Sequence, residues 1–312
     1  LFNSIKSIPP SLFGLYKVIL IMENKKFRIG TRGSPLALKQ TGMAIKALKE
    51  ANPHIGGKGA FEMVVIKTTA DRIQNASLAL LGGKGLFTKE LDEAMLNHQI
   101  DIAIHSMKDI PNTLPQGILL HAVMPREDVR DAFISNKSEN LINLPPESTI
   151  GTSSLRRKSQ LLNIRPDLKV TPIRGNIDTR LDKIKNGIID ATLLAHAGLI
   201  RLGKESVITE LIDAEVLVPA VGQGSLAATC REDDVQANSV LATLCEPATT
   251  AAIIAERAML TVLGGSCHAP TGGLAQPDGQ GNLRLRGLIA SSDGKEKVDL
   301  VMSAPITEAE TL

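Results

Sequence analysis

The sequence predicts an α/β protein of two hinged lobes followed by a small α+β domain, and three observations carry that expectation. Two segments open alike, "RIGTRGSPLAL" from Arg28 and "TIGTSSLRRKSQLL" from Thr149: each is a short apolar strand, a Gly-Thr step, a Ser-bearing turn and a helical pattern. A second pair, "NHQIDIAIHS" from Asn97 and "NGIIDATLLA" from Asn186, runs from a helix end through a buried Ile-Asp strand, which fits two lobes of one plan. One such echo alone also fits chance, because βα units resemble one another. Between the lobes, "VMPREDVRD" and "VLVPAVGQGS" interrupt regular patterns with Pro and Gly, so the chain is expected to cross twice. A cleft between two such lobes collects ligands at the carboxyl ends of strands.

Taken in order, residues 1–25 read as a poorly ordered extension. Its apolar run "LFGLYKVILIM" is about half the roughly 20 residues a membrane span needs, and it contains Lys17, so a transmembrane helix is excluded. Cytoplasm is the expected compartment, with a plastid or other organelle as the alternative if residues 1–21 are a transit remnant. Residues 26–124 together with 225–242 are assigned to the first α/β domain. Residues 125–224 form the second, with a basic cleft face, and 243–312 the α+β third. In that last part "ATTAAIIAERAMLTVL" has the spacing of a buried helix, and "LRLRGLIA" and "KVDLVMSA" flank "SSDGKE", a hairpin signal. The terminal "ITEAETL" reads as the first turn of a helix whose remainder is absent.

Composition narrows the function. At 312 residues the chain exceeds what one core usually serves, and its net charge of +2 names no partner. Three cysteines without a C-x-x-C pair argue against a disulfide framework. With no Trp, one Tyr and six Phe, the chain lacks the stacking platforms of single-strand nucleic-acid binders. No exposed apolar stripe is evident, so a monomer is expected.

Charge is distributed unevenly. Between positions 151 and 185 stand nine basic residues, Arg156, Arg157, Lys158, Arg165, Lys169, Arg174, Arg180, Lys183 and Lys185, against Asp167, Asp178 and Asp182. A lone lysine there is best read as a solvated charge. Arginines at helix starts are different, since a cation at that end opposes the helix dipole unless an anion offsets it. "GTSSLRRKS" and "IRGNIDTRL" both place arginines beside a Ser or Asn cap, which points to a ligand with several carboxylates or phosphates. "DIAIHSMKDIP" ends a strand and turns through His105, Lys108 and Asp109. At the mouth of a cleft such a carboxylate can accept N–H groups or stabilise a developing positive charge; His105 alone reads as structural. "LLGGKGLFTKELDEAML" lacks the phosphate-loop spacing, so Gly82, Gly83 and Gly85 read as hinges of a loop ahead of a helix. In "LGGSCHAPTGG", Cys267 has only His268 beside it, too few ligands for zinc. Its flanking glycines, Gly264, Gly265, Gly272 and Gly273, would leave room for something bulky joined to the thiol.

The segments "GTRGSPLAL", "GGKGLFTKEL", "IHSMKDIP", "GTSSLRRKSQL", "RGNIDTRL", "AGLIRLG", "PAVGQGSLA" and "GGSCHAP" stand in an order and spacing that closely resemble the porphobilinogen deaminase (hydroxymethylbilane synthase) family, from position 28 to the end. The resemblance implies two periplasmic-binding-protein-like domains plus a third, and a dipyrromethane cofactor joined through a thioether to Cys267. It implies that Asp109 is catalytic, binding pyrrole N–H groups and stabilising positive charge as ammonia leaves. Lys108, Asp109, Ser154, Arg156 and Arg157 would bind the cofactor, and Arg32, Ser34, Phe87, Arg174, Arg180 and Arg201 the substrate porphobilinogen, whose acetate and propionate explain the arginines. Four condensations and a hydrolysis would release hydroxymethylbilane for tetrapyrrole and heme synthesis, with no metal. A non-catalytic polycarboxylate-binding protein would have no use for Cys267, and an enzyme with a thiol nucleophile would leave the arginines unexplained.

Overall fold

The computed structural model describes residues 26–55, 59–69, 87–264 and 270–312. The extension at 1–25, the glycines at 82, 83 and 85, and Cys267 with Gly265 and His268 lie outside the described residues.

Three sheets organise the chain. The first has the order β2-β1-β3-β10-β4, from β1 (Phe27–Arg32), β2 (Phe61–Ile66), β3 (Ile102–Ser106), β4 (Ile118–Val123) and β10 (Leu226–Arg231). The second has the order β7-β6-β8-β5-β9, from β5 (Asp131–Ser135), β6 (Thr149–Gly151), β7 (Lys169–Thr171), β8 (Ala191–Ala195) and β9 (Glu210–Ile212). In each, three parallel strands adjoin an antiparallel one, β10 beside β3 and β5 beside β8. The strand β5 begins the second sheet directly after the first crossing, and β10 completes the first sheet after the second.

Local chemistry explains the βα units. Helix α1 (Pro35–Ala51) starts at Ser34, whose hydroxyl accepts from the Ala37 amide, with proline in the first turn where no N–H is needed. Its inward face is Gln40, Thr41, Ala44 and Leu48, an i, i+4 stripe against the sheet. Helix α2 (Lys89–Leu96) buries Leu91, Ala94 and Met95 on the opposite side. Strands β1 and β3 are therefore covered on both faces, and most of their residues are buried. In the second sheet, α3 (Leu155–Ile164) is capped by Ser154, and α4 (Ile177–Lys185) by Asn176. Helix α5 (His196–Leu202) follows β8, and α6 (Val235–Ala242) follows β10.

The echoing helix ends share one geometry. After α2 the chain turns at His98 (φ 56°), and after α4 at Gly187 (φ 68°). The Gln99 amide donates to Ala94 O at 2.8 Å and the Ile188 amide to Lys183 O at 2.9 Å, closing equivalent left-handed caps. Three residues past each turn an aspartate pins the neighbouring strand. Asp101 accepts from the Arg28 amide at 2.9 Å, and Asp190 from the Thr149 amide at 2.7 Å.

The third sheet is the antiparallel meander β11 (Thr271–Pro277), β12 (Asn282–Ala290) and β13 (Lys297–Pro305), covered by α7 (Pro247–Val262). The expected helix and hairpin are both present. A Cβ on Gly273 would sit 2.5 Å from Met259 Cε, and one on Gly272 would sit 2.9 Å from Val218 O. Contact with α7 and the second crossing thus dictates these two glycines, which corrects the expectation that they leave room for a bulky group. At Gly264 a Cβ would meet nothing within 4 Å. The last residues form only a 3₁₀ turn, Ile306–Glu308.

Candidate active site

Every described candidate residue stands at or beyond the carboxyl end of a strand. Arg32 ends β1 and Ser34 caps α1; the Arg32 guanidinium carbon lies 4.6 Å from the centre of the Phe87 ring. Lys108 and Asp109 form the turn Met107–Asp109 after β3. Ser154, Arg156 and Arg157 lie between β6 and the first turn of α3, Arg174 follows β7, Arg180 opens α4, and Arg201 is on α5 after β8. Parallel strands put their carboxyl ends on one edge, so the sequence gathers these groups by repeating one βα unit.

The arginine pair is buried and already partnered. Arg156 donates through Nη2 to Asp131 Oδ2 at 2.7 Å and through Nη1 to Val218 O at 2.7 Å. Arg157 donates through Nη2 to Asp131 Oδ1 at 2.7 Å and through Nη1 to Leu193 O at 2.9 Å. Burial alone would raise the Asp131 carboxyl pKa; Arg156 and then Arg157 outweigh it and hold the group well below the usual carboxylate range. Part of the anion demand that the sequence assigns to an external ligand is thus met inside the protein. The Nε atoms of Arg156, Arg157 and Arg201 are buried without a hydrogen-bond partner among the described residues, leaving N–H groups for an acceptor.

Sequence reasoning missed two members of this cluster, Asp131 and Gln223. Gln223 is fully buried, donates to Asp131 Oδ1 at 2.9 Å and Val129 O at 2.7 Å, and accepts from Lys108 Nζ at 3.3 Å. Burial, and then Arg157, pushes the Lys108 ammonium down to about 8, against the opposing pull of Asp109 and Asp131. The Asp109 carboxylate makes no hydrogen bond or ion pair to any described residue. Burial followed by Arg157 lowers Arg180 to about 10; its Nε donates to Gly175 O at 3.0 Å. Arg201 donates to the Gly224 carbonyl of the second crossing. His105, as expected, is structural: Nε2 meets Thr229 Oγ1 at 3.1 Å, and burial followed by Arg32 depresses it to about 4. Arg174 and Ser34 are joined to the cluster by no hydrogen bond among the described residues.

A cavity of about 560 Å³ lies elsewhere, between the first crossing (Arg126 to Arg130), α7 and β11, and no predicted site residue lines it. Among the described helices none is long and apolar enough to cross a membrane.

A family model described as porphobilinogen deaminase, dipyromethane cofactor binding domain, matches residues 27–239, and one described as the porphobilinogen deaminase C-terminal domain matches 250–312. The chain is 50% identical over 268 residues to the chloroplastic porphobilinogen deaminase of Pisum sativum, covering 86% of this chain and 73% of that protein. It is 45% identical over 286 residues to the porphobilinogen deaminase of Bacillus pumilus (strain SAFR-032), covering 91% of each. Solved structures with some likeness include the methionine binding protein MetQ, with TM-score 0.45 and 13% identity, covering 70% of this chain and 89% of that one. Another is a nutrient binding protein from Burkholderia cenocepacia bound to methionine, with TM-score 0.42 and 11% identity over 75% of this chain and 94% of that one.

Proposed function

The chain belongs to the porphobilinogen deaminase family, and from that premise we propose that it is a transferase that condenses four porphobilinogen molecules, with loss of ammonia, and releases hydroxymethylbilane by hydrolysis. The observation that carries this reading is the convergence, at the strand ends, of buried, partly unsatisfied guanidiniums with Lys108 and with Asp109, whose carboxylate makes no hydrogen bond among the described residues.

The donor set suits a dipyrromethane bearing carboxylates. Arg156 and Arg157 retain Nε–H groups for anionic acceptors, Lys108 adds an ammonium, and Asp109 has carboxylate oxygens available for pyrrole N–H groups. When bound through Cys267, the group supplies the nucleophilic carbon that primes the chain. Asp109 accepts the pyrrole N–H and offsets the positive charge that develops on the substrate as ammonia departs. Arg32, Arg174, Arg180 and Arg201 hold substrate acetate and propionate, Ser34 and Ser154 cap the helices that aim these groups, and the Phe87 ring flanks Arg32. Asp131 keeps the arginine pair oriented without becoming protonated.

The reading divides the chain into domains at 26–124 with 225–242, at 125–224 and at 243–312, a division supported by the three separate sheets, and takes it to act as a monomer. The cytoplasm is the compartment proposed first; the chloroplastic name of the pea relative favours a plastid as the second reading. Intact mass, paired with the mass of the peptide containing Cys267, tests the assignment. An increment equal to dipyrromethane on that peptide is expected. A thiol that stays unmodified after incubation with porphobilinogen or preformed hydroxymethylbilane overturns it.

A further inference from the structure

We infer that Gln223 is a positioning residue that seats the Lys108 ammonium of the first sheet against the Asp131, Arg156 and Arg157 cluster of the second. The inference rests on the proposed reaction and adds to it a residue that acts through Lys108.

The amide can sit only one way round. Its two N–H donors face two acceptors, Val129 O at 2.7 Å and Asp131 Oδ1 at 2.9 Å, so Oε1 must point to the other side, where Lys108 Nζ stands at 3.3 Å. The backbone that carries it is equally constrained. The Gln223 amide donates to Ala220 O at 2.9 Å and its carbonyl accepts from Arg126 Nε at 2.9 Å. On either side, Gly222 (φ 74°) and Gly224 (φ 95°) adopt left-handed backbone. A Cβ would lie 2.6 Å from Met107 Cγ at the first and 2.3 Å from Glu127 O at the second. No side chain fits at either neighbour, so the segment is shaped to deliver one residue into the cluster.

What it delivers is a neutral acceptor among charges. Lys108 faces Arg157 and Arg156, which repel it, and Asp109 and Asp131, which attract it. An uncharged oxygen holds the ammonium without neutralising it and without drawing it away from an anionic ligand. Lys108 and Asp109 are consecutive in one 3₁₀ turn, so anchoring the lysine also sets the turn that presents Asp109.

Two measurements test the inference. In a double-mutant cycle on kcat/KM, Gln223→Leu is expected to cost at least tenfold in the native background and less than threefold in a Lys108→Met background. An equal factor in both backgrounds overturns it. The second readout needs no turnover: pulse acylation of the holoenzyme with acetic anhydride, followed by peptide mass spectrometry, with exposed Lys169 as internal reference. Gln223→Asn keeps the amide but withdraws Oε1 by a methylene, and acylation of Lys108 should rise at least fivefold. An unchanged rate defeats the inference whether or not the chain turns over porphobilinogen; a chain with normal Lys108 protection and no turnover instead defeats the proposed reaction.

Discussion

At Lys108 the chemistry of one residue becomes a pH dependence. Its ammonium is lost as pH rises through about 8, so kcat/KM should fall on an alkaline limb with a midpoint near that value. Lys108→Arg keeps a cation throughout, and the limb should move up by more than one unit in a pH-rate profile. The same depression makes the unfolded state hold more protons between about 8 and the ordinary 10.5, so this group's contribution to stability rises with pH across that window. Asp131 gives a slope of the same sign in a far more acidic window. Its folded pKa lies below the ordinary 3.8, so its contribution is present above that value and is lost as pH falls through the folded pKa. Replacing Asp131 by Asn leaves two buried guanidiniums facing one neutral oxygen and should cost about 3–5 kcal/mol in denaturant unfolding. Neither Asp131 nor Gln223 was legible in the sequence. Their partners lie 25, 26 and 92 positions away along the chain, and no local pattern records such a pairing.

The repeated βα unit is the element that the sequence displayed most clearly. Its capping serines, its helical stripes and its Ile-Asp strands are local features, and local features survive in a one-dimensional reading. What stayed hidden was the role of the glycines in β11, because a close approach between Gly272 and Val218 O depends on a segment over 50 residues earlier. The two helix ends offer a matched experiment. His98 occupies a left-handed conformation that costs an L-residue about 1 kcal/mol, where its counterpart is Gly187. His98→Gly should stabilise the protein by about 0.5–1 kcal/mol. Gly187→Ala, where a Cβ would touch nothing within 4 Å, should destabilise it by a similar amount, read as shifts in the urea midpoint.

Across the whole molecule one carboxylate ties both crossings to the third sheet. Glu256 on α7 is fully buried and accepts from Arg126 Nη1 at 2.6 Å, from the Gly222 amide at 2.7 Å and from the Ala275 amide at 2.8 Å. Both crossings and the third sheet therefore meet at a single side chain. Glu256→Gln replaces one acceptor oxygen with a donor that faces other donors, a loss of about 3 kcal/mol. It should lower the thermal midpoint by roughly 4–5 °C in calorimetry. The expected two crossings are present, but nothing in the sequence placed Glu256 between them, since within its helix it reads as one polar residue in "IIAERAM".

The strand exchange between the first two sheets also matters before the protein is finished. Strand β10 lies in the interior of the first sheet, between β3 and β4, yet about 100 residues separate it from β4 in the chain. The second sheet is continuous in sequence and can close as soon as β9 leaves the ribosome. The first must wait with the β3 and β4 edges unpaired for roughly 5–20 s at typical elongation rates of ~5–20 residues per second. Nascent chains of this protein are thus exposed to chaperones and to aggregation in their earlier-made part, and the first sheet, begun before the second, closes after it.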